Sequence, residues 1–391
     1  MRVLAAFDKC KDSLSAREIC FLAKETILNR SSEDQVSVVP LTDGGEGFAD
    51  LLTNAKDGSF HSVFAKDSLG RTKEVKVGII SSQDIDPPLQ EFIDLPCPGK
   101  IAVIEMSSIA GLANLMNDER NPWLTSTFGV GELLKHVTSI GVSSILLGIG
   151  GSSTNDMGVG ALCSLGVKFF DDKGFPVTFP CPDTWSNIKE VSLDSLLSLP
   201  PIRIACDVSN QLLGEGGATY QFGSQKGLSS DRKKEMEEEM LRMSAFLAET
   251  FQKPLSLREQ EGSGAAGGIG YGLSLAYKTR FVSGFSLIEK WFKLEDAIKE
   301  SDLILTGEGR FDLTSLYGKG PYEIIRMASR HEKKVILLAG SVESEAVERC
   351  KSEFPELEVV PFGMNELSLD ENLARAPEFF SNALLKQLSS D

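Results

Sequence analysis

Four short apolar runs in this chain end in islands where glycines alternate with acids, hydroxyls or a lysine. Leu303 to Leu305 runs into Thr306-Gly-Glu-Gly-Arg-Phe-Asp312 and then Gly318-Lys319-Gly320. Val36 to Leu41 leads to Asp43-Gly-Gly-Glu-Gly47, and Ser144 to Gly148 leads to Gly150-Gly-Ser-Ser-Thr-Asn-Asp156. Ile202 to Cys206 leads to Asp207-Val-Ser-Asn210 and Gly214-Glu-Gly-Gly217. Short runs of this kind read as buried strands, and ligand groups gather beyond the C-terminal ends of such strands in open α/β sheets. Glycine there lets the backbone approach a ligand closely, while carboxylates and ammonium groups meet a metal or phosphate oxygens.

The order of elements supports an α/β architecture. Val3 to Phe7 reads as a strand and Ser15 to Leu28 as a helix, with Ser13 or Ser15 as N-cap and Ile19, Leu22, Ala23 and Ile27 at helical spacing. Val36 to Leu41 is a second strand, followed by a helix from Glu46 to Leu52. The pattern then breaks: Val63 to Ile80 alternates around Leu69-Gly70 as a hairpin, and Ser81 to Lys100, with Pro87-Pro88, Pro96 and Pro98, reads as an irregular connection. Ala102 to Met106 is a further strand, and Lys168 to Val177 has hairpin character. Asp231 to Gln252 is a long helix whose Met236, Met240, Met243, Phe246, Leu247 and Phe251 form a core-facing side. From Ala297 strands and helices alternate again, through Val335–Ala339 and Val359–Phe362. This predicts a discontinuous Rossmann-like domain, residues 1–62 and 285–391, with an α+β domain, residues 63–284, inserted in it.

Composition narrows the partners. Asp and Glu number 56 against 40 Lys and Arg, a formal charge of −16, which argues against nucleic acid and anionic membranes but not against a small anionic substrate. The seven cysteines are scattered without C-x-x-C spacing, as expected of a reduced cytoplasmic chain. The apolar Val3 to Phe7 stretch carries no secretory pattern, and no apolar run approaches the roughly 18 residues that span a bilayer. A homodimer is left open.

Several familiar sites are absent. Gly318-Lys319 lacks the G-x-x-x-x-G-K-[ST] spacing, and the protein-kinase motif set and the G-x-S-x-G elbow are missing. With three histidines, His61, His136 and His331, and no H-E-x-x-H, a histidine-rich zinc site is excluded. Gly262-Ser-Gly-Ala-Ala-Gly267 fits G-x-G-x-x-G, but the polar Leu255 to Glu261 is not the strand a dinucleotide site needs, so packing at a helix start is the better reading. The Gly148–Asp156 loop offers amides and hydroxyls to an anion, with Asn155 and Asp156 for a metal or hydroxyl; a capped strand-to-helix turn is the plain alternative. Asp43 and Glu46 offer hard oxygens to Mg²⁺, and Asp43 is placed to orient or deprotonate a hydroxyl. Lys11, just past the first strand, suits a phosphate or carboxylate.

Taken in order, the islands resemble the bacterial-type glycerate kinase type 1 family, the glycerate 2-kinases. The likeness is carried by Asp8-Lys-Cys-Lys-Asp-Ser-Leu-Ser15, Pro40 to Gly47, Gly148 to Asp156, Ala205 to Asn210, Phe222-Gly-Ser-Gln-Lys-Gly227, Gly262 to Gly268, and Thr306 to Asp312 with Gly318-Lys319. The first block departs from the family's Asp-Ser-Phe-Lys-Gly-Ser at Lys9, Cys10 and Asp12, the last standing where glycine is expected. The resemblance implies an α/β fold in which one domain is inserted in another, and an enzyme with ATP and Mg²⁺ that phosphorylates D-glycerate, at the 2-hydroxyl in preference to the 3-hydroxyl. For such chemistry Gly150, Gly151, Ser152, Ser153, Thr154 and Asn155 are the expected phosphate cradle. Asp156, Asp207 and Glu308 are the expected metal ligands. Lys11, Arg310 and Lys319 would hold the glycerate carboxylate or the moving phosphoryl group, with Asp8, Ser13 and Glu46 on the substrate side. Asp43 or Asp312 would take the hydroxyl proton. A related hydroxy acid as acceptor, or a non-catalytic sugar-acid or nucleotide sensor, are the competing readings.

Overall fold

The structure is a computed structural model that describes residues 1–42, 44–96 and 98–389. Its strands, in chain order, are β1 (Arg2–Phe7), β2 (Gln35–Val38), β3 (Ser59–Lys66), β4 (Thr72–Ser81), β5 (Lys100–Glu105), β6 (Ser144–Gly148), β7 (Lys168–Phe170), β8 (Glu190–Ser192), β9 (Ile202–Ala205), β10 (Thr279–Val282), β11 (Leu303–Phe311), β12 (Lys334–Val342) and β13 (Glu358–Pro361). The chain divides into two compact units, Met1–Asp43 with Phe285–Asp391, and Gly44–Gly284.

In the first unit five parallel strands lie in the order β13-β12-β11-β1-β2. β1 and β11 are buried along nearly their whole length, as strands covered on both faces must be. Val3, Ala5, Phe7, Leu303 and Leu305 join a core with residues of the helices Ala16–Arg30 and Leu369–Leu388. Alternation along β11 therefore turns Thr306 and Glu308 to the other face, where the helix Gly320–Arg330 packs. The helix Ala16–Arg30 starts on a reciprocal cap: Ser15 Oγ accepts from the Glu18 amide at 3.2 Å and the Ser15 amide donates to Glu18 Oε2 at 2.8 Å. Ser15, not Ser13, is thus the cap.

The second unit carries a six-stranded sheet, β10-β9-β6-β5-β4-β3. β10, β9, β6 and β5 are parallel, and the hairpin β3–β4 extends that sheet antiparallel. Residues 44–62, expected with the first domain, lie here instead: the helix Phe48–Asn54 packs on β4 and β5, and β3 pairs with β4. The expected hairpin at Lys168–Val177 is present as an antiparallel bridge between Phe170 and Pro176, with Asp171 donating to the Phe175 carbonyl and Val177 to the Phe169 carbonyl, while β7 also pairs with β8. The stretch expected to be irregular contains the helix Pro87–Ile93. Asp86 caps it through the Leu89 amide, and a proline in the first helical position lacks only an N–H that the helix does not use. Met236, Met240, Met243 and Leu247 of the helix Lys233–Thr250 are fully buried, as the stripe requires.

Candidate active-site elements

In the second unit the islands meet at the C-terminal ends of the parallel strands. The Gly150 amide donates to the Gly44 carbonyl at 3.1 Å. A Cβ on Gly148 would lie 2.4 Å from that carbonyl oxygen, and one on Gly150 only 2.6 Å from the Gly45 nitrogen. Gly44 itself, at φ +86°, passes so close to β9 that a Cβ would sit 2.8 Å from the Ala205 carbonyl oxygen. These glycines exist so that two backbone loops can cross in contact. At the end of β5 lies Glu105, a buried carboxylate that sequence reasoning passed over inside an apolar run. It accepts from Ser107 Oγ at 2.7 Å and from the Ala49 amide at 3.3 Å. Burial pushes its carboxyl above the ordinary range against those bonds, and Asp50 and Glu46 add to the push. Glu46 is exposed at the start of the Phe48–Asn54 helix.

The glycine-hydroxyl loop has two halves. Gly151 is exposed and Gly150 half-buried, Ser152 is buried at 7% exposure, and Ser153, Thr154, Asn155 and Asp156 are fully buried. Ser153 donates through both amide and hydroxyl to the Ala110 carbonyl, each at 2.9 Å. Asn155 Nδ2 points inward, 3.4 Å from Thr219 Oγ1 and 3.1 Å from Met240 Sδ. Asp156 Oδ2 accepts from the amide and hydroxyl of Thr127, at 2.7 and 2.9 Å, and from the Gly160 amide at 3.2 Å. Its Oδ1 accepts from the Gly158 amide at 3.1 Å. A carboxylate sealed in the core with both oxygens committed does not suit the metal role expected of it; it caps the turn before the helix Val159–Ser164. Burial drives its carboxyl upward while those donors pull it down. Gly262–Gly268 is likewise internal: a Cβ on Gly267, at φ +70°, would meet the Thr154 carbonyl oxygen at 2.1 Å. The motif packs against the loop's inner half, as the helix-start reading anticipates. Lys226 is buried there too, its Nζ donating to the Thr154 carbonyl at 2.7 Å, and burial pulls its ammonium down to about 7 against the attraction of Asp156. Asp207, just past β9, is half-buried and accepts from Ser283 Oγ at 2.9 Å.

In the first unit the groups follow β1 and β11. The Asp8 amide donates to the Gly307 carbonyl, tying the two strand ends together, and Asp8 Oδ1 accepts from the Lys9 amide at 2.7 Å. The chain then turns tightly, with Cys10 and Leu14 bonded across the turn and Lys11 exposed on it. Ser13 Oγ donates to the Leu373 carbonyl at 2.8 Å, so its hydroxyl fastens the turn to the C-terminal helix. Asp12, in the position where a glycine is expected, has φ +62°. Aspartate enters this left-handed region more readily than other side chains, which is how the turn keeps its shape. Asp12→Gly should therefore retain wild-type stability within ~1 kcal/mol, whereas Asp12→Val should lose about 1–2 kcal/mol in urea unfolding. Equal midpoints for the two variants would show that the turn does not need φ > 0.

Glu308, near the end of β11, is buried; its Oε2 lies 3.7 Å from Lys319 Nζ and its Oε1 has no hydrogen-bond partner among the described residues. Burial raises its carboxyl above the ordinary range, with Lys319 opposing. Asp312 sits half-buried after the strand. Oδ1 accepts from the Thr314 hydroxyl at 2.6 Å and amide at 2.9 Å, and Oδ2 is 3.5 Å from Nε of the exposed Arg310. Burial pushes the Asp312 carboxyl up, but Thr314, Lys319 and Arg310 outweigh it and hold it below the usual range. Asp43 lies outside the described residues.

The sequence was compared with known proteins. A family model described as the glycerate kinase family matches residues 3–386. The chain belongs to the glycerate kinase family. A glycerate kinase of Haemophilus influenzae is 35% identical over 88% of this chain and 87% of its own length. A glycerate 2-kinase of Escherichia coli K12 is 33% identical over 88% of this chain and 86% of its own. A crystal structure assigned as a glycerate kinase 2 of Salmonella typhimurium LT2 covers 100% of this chain and 99% of its own, at TM-score 0.73 and 27% identity. In this glycerate kinase family member no group of three or more His, Cys, Asp or Glu residues that could hold a metal is found among the described residues. Nucleotide-bound Mg²⁺ needs only one or two carboxylates besides phosphate oxygens. Glu308, whose Oε1 is unpartnered among the described residues, fits that need in the first unit, and the half-buried Asp207 fits it separately in the second; Asp156 does not. The exposed Gly151, flanked by Gly150 and Ser152, fits a phosphate contact. No helix among the described residues is long and apolar enough to cross a membrane.

Proposed function

We propose that this protein transfers the γ-phosphoryl group of ATP to the 2-hydroxyl of D-glycerate, giving 2-phosphoglycerate and ADP. The reading rests on the end-to-end family likeness, which includes a relative named as a glycerate 2-kinase. It is supported by the cation and carboxylate pairs at the C-terminal end of β11, Arg310 with Asp312 at 3.5 Å and Lys319 with Glu308 at 3.7 Å.

Phosphoryl transfer asks a protein chiefly to position groups and offset charge. Gly150, Gly151 and Ser152 are assigned to the phosphates of ATP. Lys11, Arg310 and Lys319 are assigned to the glycerate carboxylate and the moving phosphoryl group, and Arg310 is suited to a planar bidentate contact with a carboxylate. Asp8 and Ser13 shape the turn that carries Lys11. Glu308 in the first unit or Asp207 in the second is the carboxylate assigned to Mg²⁺, whose charge would neutralise the phosphate oxygens. As the 2-hydroxyl oxygen attacks phosphorus and the bond to ADP breaks, its proton passes to a carboxylate, Asp312 or Asp43. A cytoplasmic site of action accords with the six described cysteines, all free thiols.

The test is ADP release with ATP, Mg²⁺ and D-glycerate, followed by phosphorus NMR of the product. A phosphomonoester on C2 is expected. A C3 product makes the protein a 3-kinase, turnover with another hydroxy acid alone changes the acceptor, and ligand binding without turnover makes it a sensor.

A further inference from the structure

Lys226 is 2% exposed, yet its ammonium is placed by a rigid piece of backbone. It ends the short turn Ser224–Lys226, and the next residue, Gly227, has φ +91° and a position where a Cβ would lie 1.9 Å from the Arg120 carbonyl oxygen. From there Nζ reaches the carbonyl of Thr154 at 2.7 Å. That carbonyl is pressed from another side by Gly267, whose missing Cβ is what leaves it room. Thr154 lies in the buried half of the loop, three residues after the exposed Gly151. Thr154 Oγ1 and Asn155 Oδ1 are buried without partners among the described residues, while Thr125 Oγ1 holds the neighbouring Ser153 carbonyl at 3.1 Å.

We infer that Lys226 is a positioning residue for the nucleotide: from behind the Gly150–Asp156 loop it fixes the Thr154 peptide, and with it the outer half of the loop. This rests on the reading that the outer half takes the phosphates of ATP. The physical argument is one of alternatives. If only the Thr154 carbonyl had to be satisfied, a neutral donor would serve, and an apolar interior would be cheaper than an ammonium ion. The Lys226 ammonium is pulled down to about 7, and a phosphate bound on the far side of the loop would favour its charged form, because in a low-dielectric interior the field between them is weakly screened. Asp156, the ionisable group that acts on Lys226, keeps its own oxygens on the Thr127, Gly158 and Gly160 donors, so it does not claim the ammonium through a direct bond.

The experiment is calorimetric titration of the full-length protein with ATP in the presence of Mg²⁺, and separately with D-glycerate. Lys226→Met should weaken ATP binding about tenfold or more, a typical loss for a charge-assisted contact, and leave D-glycerate binding within about twofold. Lys226→Arg should recover most of the loss. If Lys226→Met does not fold, Lys226→Gln, which keeps a donor and removes the charge, carries the same expectation. ATP binding within about twofold of wild type overturns the inference. Equal loss of both ligands together with a lowered unfolding midpoint overturns it too, since that marks a merely structural lysine. Gly151→Asp separates this from the reading beneath it: aspartate tolerates the φ of +70° there, and its carboxylate should repel phosphate. Lost ATP binding in Gly151→Asp with unchanged binding in Lys226→Met rejects the lysine alone. Unchanged ATP binding in Gly151→Asp rejects the loop as the phosphate site, and the role of Lys226 with it.

Discussion

Asp312→Asn should lower turnover of D-glycerate by about two to three orders of magnitude, ~3–4 kcal/mol of transition-state stabilisation, with little change in the unfolding midpoint. The substitution separates charge from shape at this position. Oδ1 accepts from both the hydroxyl and the amide of Thr314, and an asparagine oxygen can go on doing so. The amide of Asp312 also donates to Ser315 Oγ at 3.1 Å, which no side-chain change removes. What Asn deletes is the negative charge 3.5 Å from Arg310 Nε, together with the capacity to take a proton. Because Thr314, Lys319 and Arg310 hold this carboxyl below its ordinary range against burial, it stays ionised throughout the neutral range. An activity loss from protonating Asp312 should thus appear only below the usual aspartate range. Steady-state kinetics and thermal unfolding on the same samples check the claim. Near-normal turnover would remove Asp312 from the reacting groups and leave Asp43 as the proton acceptor.

The strands and the glycine islands were legible in sequence because both follow from local rules. A run such as Val3–Phe7 can be little else than a buried strand. Three things were not legible. The crossing between units falls after residue 43, since the placement of residues 44–62 depends on where β3 and the Phe48–Asn54 helix find partners far along the chain. Glu105 hid within an apolar run because burial of a carboxylate depends on Ser107 and the Ala49 amide folding back to meet it. Above all, sequence cannot tell the outer from the inner half of a polar loop. Ser152 and Asp156 look as available as Gly151 as letters, yet the chain dives after Gly151, and the residues richest in ligand chemistry are spent on holding the turn.

Asp156→Ala puts that distinction to its sharpest test, and the expected result is a large loss of stability. The carboxylate is fully buried and accepts from four donors: the amides of Thr127, Gly158 and Gly160 and the Thr127 hydroxyl. Thr127 Oγ1 in turn accepts from the Ala161 amide at 3.0 Å, so the side chain anchors a small network and not a single bond. Removing it strands those donors away from water and opens a void, at a cost of roughly 3–5 kcal/mol. For a unit of this size that corresponds to a fall of on the order of 10 °C in Tm. Asp156→Asn should recover only part of it, because the NH2 group must face donors where an oxygen now accepts. Both variants should still gain the stabilisation that Mg²⁺ and nucleotide give to wild type. A metal ligand would behave in the opposite way: the apo variant would unfold like wild type, and the stabilisation that Mg²⁺ and nucleotide give to wild type would disappear. That second pattern would return Asp156 to the metal site and require the inner half of the loop to open when nucleotide binds.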